Sequence, residues 1–243
     1  MPARAPSLLP VETCRIPGMS FGGAILDFFD ALEPPGGLPD GVEILWPYGN
    51  PETRRVMRAY YEGFYGDSEA RVFLIGINPG RFGAGVTGIC FTDPVRLAED
   101  CGIAHDLSGG RELSSDFVYR MIAEYGGVGE FCSRFYLTAL SPVGFVRDGK
   151  NLNYYDVKGL TERLDAWMAD AMDRQLAAGA DRRVAFSMGQ GKNFEALTAF
   201  NDRHGFFDRV KPLPHPRWVL QYRRRRLDEF IGVYLDALRK ERE

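Results

Sequence analysis

The sequence predicts a three-layer α/β/α domain built on a short, mostly parallel four-stranded sheet. Short runs of β-branched and aromatic residues alternate with amphipathic segments of helical length, which is the pattern of strands joined by crossover helices. Such connections place strands in parallel and cover both faces of the sheet. Hydrophobic residues make up 45% of the 243 residues, so the chain can bury one sizeable core.

The elements of the first half have clear local signals. Residues 24–32 carry apolar side chains at helical spacing, and Pro34 stops that helix because proline cannot continue it. A second helix is predicted to begin at Pro51, with Asn50 as its N-cap. Residues 71–75 form the first predicted strand of the sheet.

The second half repeats the rhythm of strand, loop and helix. We expect a polar loop at 147–153 and no repeat or linker. Strands are predicted at residues 134–140, 183–187 and 209–213, and helices at residues 93–101, 113–125, 155–176, 193–203 and 227–238.

Composition and charge indicate one domain with a short extension. Residues 1–20 are rich in proline and are expected to form an arm, whereas residues 21–243 form the single domain. The formal net charge of −3 argues against a surface that binds polyanions everywhere. No apolar run approaches the roughly 20 residues that span a bilayer. We therefore expect a cytoplasmic or nucleoid-associated protein without membrane contact, and we also expect a monomer.

The four cysteines do not have the spacing of a metal site. Cys14, Cys90, Cys101 and Cys132 form no C-x-x-C pair, and no histidine lies at zinc-finger spacing. We predict reduced, mostly buried thiols. We also expect neither a metal nor an organic cofactor.

The loop after the first strand is the most informative stretch. Residues 76–91 contain five glycines at the sheet edge where open α/β sheets bind ligands. The loop is neither a Walker loop nor G-x-G-x-x-G. From composition alone, a tight structural corner or a general phosphate site explains it equally well.

The order of residues in this loop resembles the first motif of the uracil-DNA glycosylase superfamily. It is most similar to the single-strand-selective monofunctional enzymes and their divergent bacterial second type, which carry Gly-Met-Asn-Pro-Gly-Pro-Phe-Gly followed by Thr-Gly-Val-Pro-Phe. The resemblance implies that Asn78 positions water and that Phe91 stacks on the extruded uracil. Backbone N–H groups from Ile77 to Phe82 can hydrogen-bond base carbonyls or a flanking phosphate whatever the side chains are, so Gly76, Ile77 and Phe82 are also candidate base-binding residues.

The resemblance continues in the correct order from about residue 71 to 218. Residues 149–152 and 187–191 match the segments after the family's second motif and third strand, and His215-Pro216 occupies the place of its His-Pro loop. A neutral imidazole there would donate an N–H to the O2 atom of uracil as negative charge develops. Taken alone, His215 would be an ordinary surface residue, and Asn78 would cap the turn that follows it.

Two positions depart from the family pattern. The asparagine that reads the uracil edge is replaced by Ala139, whose methyl group neither donates nor accepts a hydrogen bond. Ser141, on the same strand face, is a weak substitute. The family's wedge after the histidine is also missing. We therefore expect relaxed recognition, with other deaminated bases such as xanthine or hypoxanthine also accepted.

A basic segment favours DNA as the partner. Between residues 203 and 226 the chain carries eight lysines and arginines against Asp208, a net charge of +7. Arginines suit phosphate contacts, and aromatic side chains can stack on bases or wedge a strand. A solvated helix face would explain the same run. The candidate DNA-binding residues are Arg81, Arg217, Trp218, Tyr222, Arg223 and Arg224.

These observations lead to a main hypothesis and two alternatives. The main one is a monofunctional glycosylase that hydrolyses uracil from DNA in base excision repair, with single strands as a substrate and no lysine nucleophile. The first alternative is a weak or inactive module that binds damaged DNA on the same fold. The second is a protein that binds a free mononucleotide through residues 76–88.

Overall fold

The central element of the fold is a parallel sheet of four strands. The computed structural model describes residues 18–241. The strands are β1 (Glu43–Leu45), β2 (Arg71–Gly76), β3 (Phe135–Ala139), β4 (Gly144–Arg147), β5 (Lys150–Leu152), β6 (Ala180–Met188) and β7 (Val210–Leu213). The main sheet has the order β3-β2-β6-β7 with every neighbouring pair parallel, which confirms the predicted sheet.

Helices surround this sheet and complete the three-layer architecture. They are α1 (Phe21–Asp30), α2 (Pro51–Phe64), α3 (Ala84–Thr87), α4 (Pro94–Glu99), α5 (Leu113–Tyr125), α6 (Val128–Cys132), α7 (Leu160–Ala177), α8 (Lys192–His204), α9 (Pro216–Tyr222) and α10 (Leu227–Lys240). Helix α1 packs against α2 and α7, whereas α5 packs against α9 and α10.

The predicted caps form as the local sequence dictates. Asn50 Oδ1 accepts the Glu52 N–H at 2.8 Å, and Asp93 Oδ1 accepts the Arg96 N–H at 2.9 Å. Each bond satisfies a backbone donor that has no partner within its own helix. Helices α2 and α4 therefore begin where the Asn-Pro and Asp-Pro pairs predict.

A second, antiparallel sheet was not predicted. Its order is β1-β4-β5, and β4 and β5 form a hairpin whose turn and second strand fall in the stretch predicted as a polar loop. The two turn residues, Asp148 and Gly149, both have positive φ, at 50° and 68°. This is the backbone that an Asp-Gly pair favours in a two-residue hairpin. The prediction of a loop at 147–153 was wrong because this signal was overlooked.

Several boundaries also differ from prediction. Strand β6 begins at Ala180 rather than at residue 183, and α7 begins at Leu160 after a short turn of 3₁₀ helix. His215 and Pro216, predicted to lie in a loop, are the N-cap and first residue of α9. The short helix α6 was also missed.

The remaining sequence expectations concern thiols, metals and membranes. Cys132 is buried, Cys90 and Cys101 are half-buried, and all three are free thiols. Cys14 and most of the expected arm lie outside the described residues. Within residues 18–241, no group of three or more His, Cys, Asp or Glu side chains is arranged to hold a metal. In that same range no helix has the length and apolar character needed to cross a bilayer.

Candidate active site

A cavity of about 230 Å³ opens at the carboxyl edge of the parallel sheet. Gly76 and Ala139 face each other there, as the last paired residues of β2 and β3. The structure brings seven of the predicted site residues into its wall: Gly76, Ile77, Asn78, Phe91, Ala139, His215 and Arg217. Residues separated by more than a hundred positions in sequence therefore surround one space of small-molecule size.

Asn78 follows β2 by two residues, and its carboxamide is held at both ends. Nδ2 donates to the Leu152 carbonyl at 3.1 Å, and Oδ1 accepts the Tyr154 N–H at 3.3 Å. Both partners belong to β5 and the residues directly after it. The hairpin that the sequence did not predict thus fixes the orientation of this side chain. An amide oxygen has two lone pairs, so Oδ1 can still accept from a water molecule.

Two glycines allow the close packing that shapes this wall. A Cβ on Gly76 would lie 2.8 Å from Phe91 Cζ, so only glycine lets that ring cross the end of β2. A Cβ on Gly144 would lie 2.2 Å from the Pro79 carbonyl oxygen. Phe91 itself has a φ of 57°, an uncommon conformation for a residue with a side chain. The loop is therefore packed tightly against the second sheet.

His215 follows β7 by two residues and is held as a neutral imidazole. Nδ1 accepts the Arg217 N–H at 3.2 Å, so the ring proton is assigned to Nε2. Burial and, to a smaller extent, the positive charge of Arg217 together lower the pKa of His215 to about 4. Near neutral pH the ring is uncharged and can donate one N–H to a group in the cavity.

Other predicted residues do not reach the cavity. Ser141 is fully buried, and its hydroxyl donates to the Val143 carbonyl at 2.8 Å. Phe82 is 49% exposed, with the Arg81 guanidinium 4.6 Å from its ring centre. Because the Ser141 hydroxyl is already bound to the Val143 carbonyl, Ser141 does not replace the polar side chain that is missing at position 139.

The structure adds polar residues that sequence reasoning missed. Glu112 and Ser114, at the start of α5, line the cavity, as do Asn151 and Asn153 beside the hairpin. Burial raises the pKa of the Glu112 carboxyl, the charge of Asp93 raises it further, and Arg217 opposes the shift. Asn151 lies in the segment 149–152 that resembles the family pattern, but no local motif marks Glu112, Ser114 or Asn153, because their approach to the cavity depends on how α5 and the hairpin pack.

A second cleft of about 310 Å³ shares Ile77 and His215 with the first. Trp218 lines it and is 38% exposed, and the Arg223 guanidinium lies 4.9 Å from the centre of a Trp218 ring. Tyr222, nearby on the same helix, is 59% exposed. Flat exposed rings beside the cavity are suited to stacking on bases.

The basic segment is less uniform than its sequence indicates. Four of its eight cations are paired: Arg203 with Asp165, Arg209 and Lys211 with Glu241, and Arg226 with Glu229. Within residues 18–241 no carboxylate lies within ion-pair distance of the other four, which are Arg217, Arg223, Arg224 and Arg225. Unpaired positive charge is thus concentrated next to His215 and Trp218.

Comparison with known proteins places this geometry in a family. The model of the uracil DNA glycosylase superfamily matches residues 63–239. The crystal structure of wild-type SMUG2 from Pedobacter heparinus matches with a TM-score of 0.89 at 34% identity, covering 92% of this chain and 99% of that chain. A search of curated proteins found no match. Because the family model matches most of its length, the chain belongs to the uracil-DNA glycosylase superfamily.

Proposed function

We propose that this protein hydrolyses the N-glycosidic bond of uracil in DNA and leaves an abasic site in base excision repair. The observation that carries the proposal is the meeting of Asn78, Phe91 and His215 on the wall of one cavity. Cleavage requires that the base leave the stack, enter a pocket and depart as an anion while water attacks the sugar. Each of these side chains meets one of those demands.

The base is stabilised on two sides. Phe91 offers a flat apolar face to the extruded ring. The Nε2–H of neutral His215 donates to the O2 atom of uracil, and this bond strengthens as negative charge moves onto the leaving base. A fixed donor of this kind lowers the barrier by about 3 kcal/mol. His215 acts without being charged, since burial keeps its pKa at about 4.

Asn78 acts on the nucleophile. Its carboxamide orients a water molecule toward the sugar carbon, but an amide cannot accept a proton as a carboxylate does. Positioning is therefore its whole contribution. No lysine is among the residues that line the cavity in the described part of the chain. The reaction is hydrolytic, and the strand is not cut.

DNA is bound by the exposed surface next to the cavity. Arg217, Arg223 and Arg224 contact phosphates, while Trp218 and Tyr222 stack on unpaired bases, which favours single strands. Arg81 lies at an exposed turn three residues after Asn78. Ala139 lacks the carboxamide with which the family's asparagine reads one edge of the base. We therefore propose that other deaminated bases, such as xanthine or hypoxanthine, are also released.

The test is base release from single-stranded and duplex oligonucleotides that contain uracil, xanthine or hypoxanthine. Asn78→Ala and His215→Ala should each slow release by tenfold or more, which is about 1.4 kcal/mol of barrier. His204→Ala is the matched control, because His204 is half-buried and bound to Asp165 rather than to the cavity. That variant should release uracil at the rate of the wild type.

The other outcomes separate the alternatives. Release of no base, with salt-sensitive DNA binding intact, would overturn the proposal and leave a module that binds damaged DNA. Tight binding of a free mononucleotide without affinity for DNA would indicate a nucleotide-binding protein. Ala139→Asn should favour uracil over the other bases, and unchanged rate ratios would contradict relaxed recognition.

A further inference from the structure

Ala139 leaves the floor of the cavity without a hydrogen-bonding side chain. The residue is 3% exposed, and its methyl group can neither donate nor accept. A pyrimidine such as uracil presents carbonyl acceptors next to a ring N–H donor. A pocket that leaves such groups unpaired loses about 1–3 kcal/mol for each of them. Some other polar group on the wall must therefore face the base if uracil is held firmly.

The carboxyl of Glu112 is free to do this. Glu112 is the N-cap residue of α5, yet its side chain makes no capping bond. It turns instead toward the Asn78 loop, where a Cβ on Gly83 would lie 1.9 Å from Oε2 and a Cβ on Gly80 would lie 2.9 Å from Oε1. Among the residues that the structure describes, the carboxyl has no hydrogen-bond partner, although it lines the cavity.

Ser114 adds a second free group from the same helix end. It is 6% exposed and lines the cavity beside Glu112. Its hydroxyl finds no hydrogen-bond partner within residues 18–241. Because Ser114 lines the cavity and its hydroxyl has no partner in the described part of the chain, a ligand in the cavity can complete its hydrogen bonding.

A protonated carboxyl matches the edge of uracil. It carries one O–H donor beside one carbonyl acceptor, which is the pattern that an asparagine carboxamide also offers. An ionised carboxylate has acceptors only, and it would repel the negative charge that develops on the leaving base.

The groups around Glu112 favour the protonated form. Asp93, at the N-cap of α4, adds a negative charge, and its Oδ2 accepts the Glu112 backbone N–H at 2.7 Å. Burial and Glu112 together raise the pKa of Cys90 to about 12, so that thiol stays uncharged. His215 is neutral, which leaves Arg217 as the cation that opposes protonation.

We propose that Glu112, as a neutral carboxyl, and Ser114 together read the hydrogen-bonding edge of the extruded base in place of the side chain missing at Ala139. The proposal rests on the proposed function, because it assigns residues to the same reaction. It predicts that base release declines as pH rises and Glu112 ionises. Glutamine at this position would keep the donor and acceptor without ionising.

The experiment measures single-turnover release of uracil by the full chain between about pH 5 and pH 9, which lies above the ordinary glutamate pKa of about 4.3. Glu112→Ala should slow release by about tenfold, equivalent to about 1.4 kcal/mol. Glu112→Gln should stay near the wild-type rate at the acidic end and lose the decline toward alkaline pH. Ser114→Ala should lower the preference for uracil over xanthine.

Controls separate this inference from the function on which it rests. Glu99→Gln changes an exposed carboxylate that pairs with Arg111, and Ser108→Ala changes an exposed hydroxyl. Both should match the wild type, and thermal melting should show that every variant is folded. If the wild type releases uracil and Glu112→Gln shows the same decline toward alkaline pH as the wild type, the inference about Glu112 is overturned and the proposed function stands. A wild type that releases no base would overturn both.

Discussion

The wall of the cavity and the basic segment beside it, residues 203–226, are built in opposite ways. On the wall, Asn78 is tied to backbone atoms at both ends of its carboxamide, and His215 accepts a bond from its own helix. In the segment, Arg224 and Arg225 are exposed and make no ion pair within residues 18–241. One region is fixed before any ligand arrives, whereas the other can adapt to it.

This difference separates two physical tasks. Chemistry needs donors held in place, because a group that must reorganise during the reaction loses its advantage. Binding a polyanion needs charge near the phosphates and little fixed geometry. The contrast leads us to expect that changes to the wall alter stability and base release, while changes to the segment alter salt-dependent affinity.

The largest effect is expected from Gly144→Ala, which would break the rigidity of the wall. The new Cβ would lie 2.2 Å from the Pro79 carbonyl oxygen and 2.8 Å from Leu45 Cδ1. Backbone would have to move, at a cost of about 3 kcal/mol, and Asn78 would move with it. Urea denaturation should show the lost stability, and base release should fall in parallel.

Gly63→Ala is the matched control for that variant. Gly63 lies in α2, and its added Cβ would meet no atom within 4 Å. It should raise stability by about 0.5 kcal/mol, because alanine favours helix more than glycine does. If Gly144→Ala were as stable as the wild type, the second sheet would not hold the Asn78 loop as described.

A smaller effect is expected when the pH is changed. The dependence of folding stability on pH reports on His215, which lies between the cavity wall and the basic segment. The folded-state pKa of about 4 lies below the ordinary value of 6.5, so the unfolded chain takes up this proton more readily. Stability should therefore fall as pH drops from about 6.5 toward 4, by on the order of 2 kcal/mol for this residue.

His215→Gln isolates that contribution, since glutamine does not titrate. Urea midpoints of the wild type and the variant, measured across the same pH range, should diverge as the medium becomes acidic. The wild type should show the steeper loss. Parallel curves would mean that His215 is not buried as a neutral ring.

The smallest effect for each side chain changed is expected in the basic segment itself. Arg223→Ser combined with Arg224→Ser should weaken binding to single-stranded oligonucleotides by about 1 kcal/mol for each arginine at low salt. The slope of log affinity against log salt should fall by about 0.7 for each phosphate that the variant no longer neutralises. Fluorescence anisotropy across a salt series measures both quantities.

Arg183→Ser is the control for that pair, because Arg183 is exposed but bound to Asp181 at 2.7 Å and belongs to β6. Its binding and salt slope should match those of the wild type. Folding stability should be unchanged in the paired variant. A marked loss of stability would show that the segment is structural rather than a surface for phosphates.

Local sequence signals were sufficient to predict the main sheet and the ends of several helices. Strand β2 is a short apolar run that needs burial on both faces, and Asn50 and Asp93 cap the helices that follow them. Such features depend on neighbouring residues in sequence, so they can be read without a fold. The parallel order of the strands follows from the lengths of their connections.

The sequence identified only some of the residues that line the cavity. Resemblance to a family motif selected Asn78, Phe91 and His215, and the structure places all three on one wall. Strand alternation, rather than the family motif, selected Ser141, whose hydroxyl is bound to the Val143 carbonyl instead. A position in a strand predicts which face a side chain occupies, but not which partner it finds there.

The sequence by itself determined the layered fold, the basic segment and the loop rich in glycine. Tertiary structure alone decided what holds Asn78, which cations stay unpaired, and that Glu112 and Ser114 face the cavity beside Ala139. The physical reason is that these properties arise from contacts between residues far apart in sequence. Periodicity and capping describe one segment at a time, whereas packing brings α5, the hairpin and the ends of β2 and β7 to the same edge.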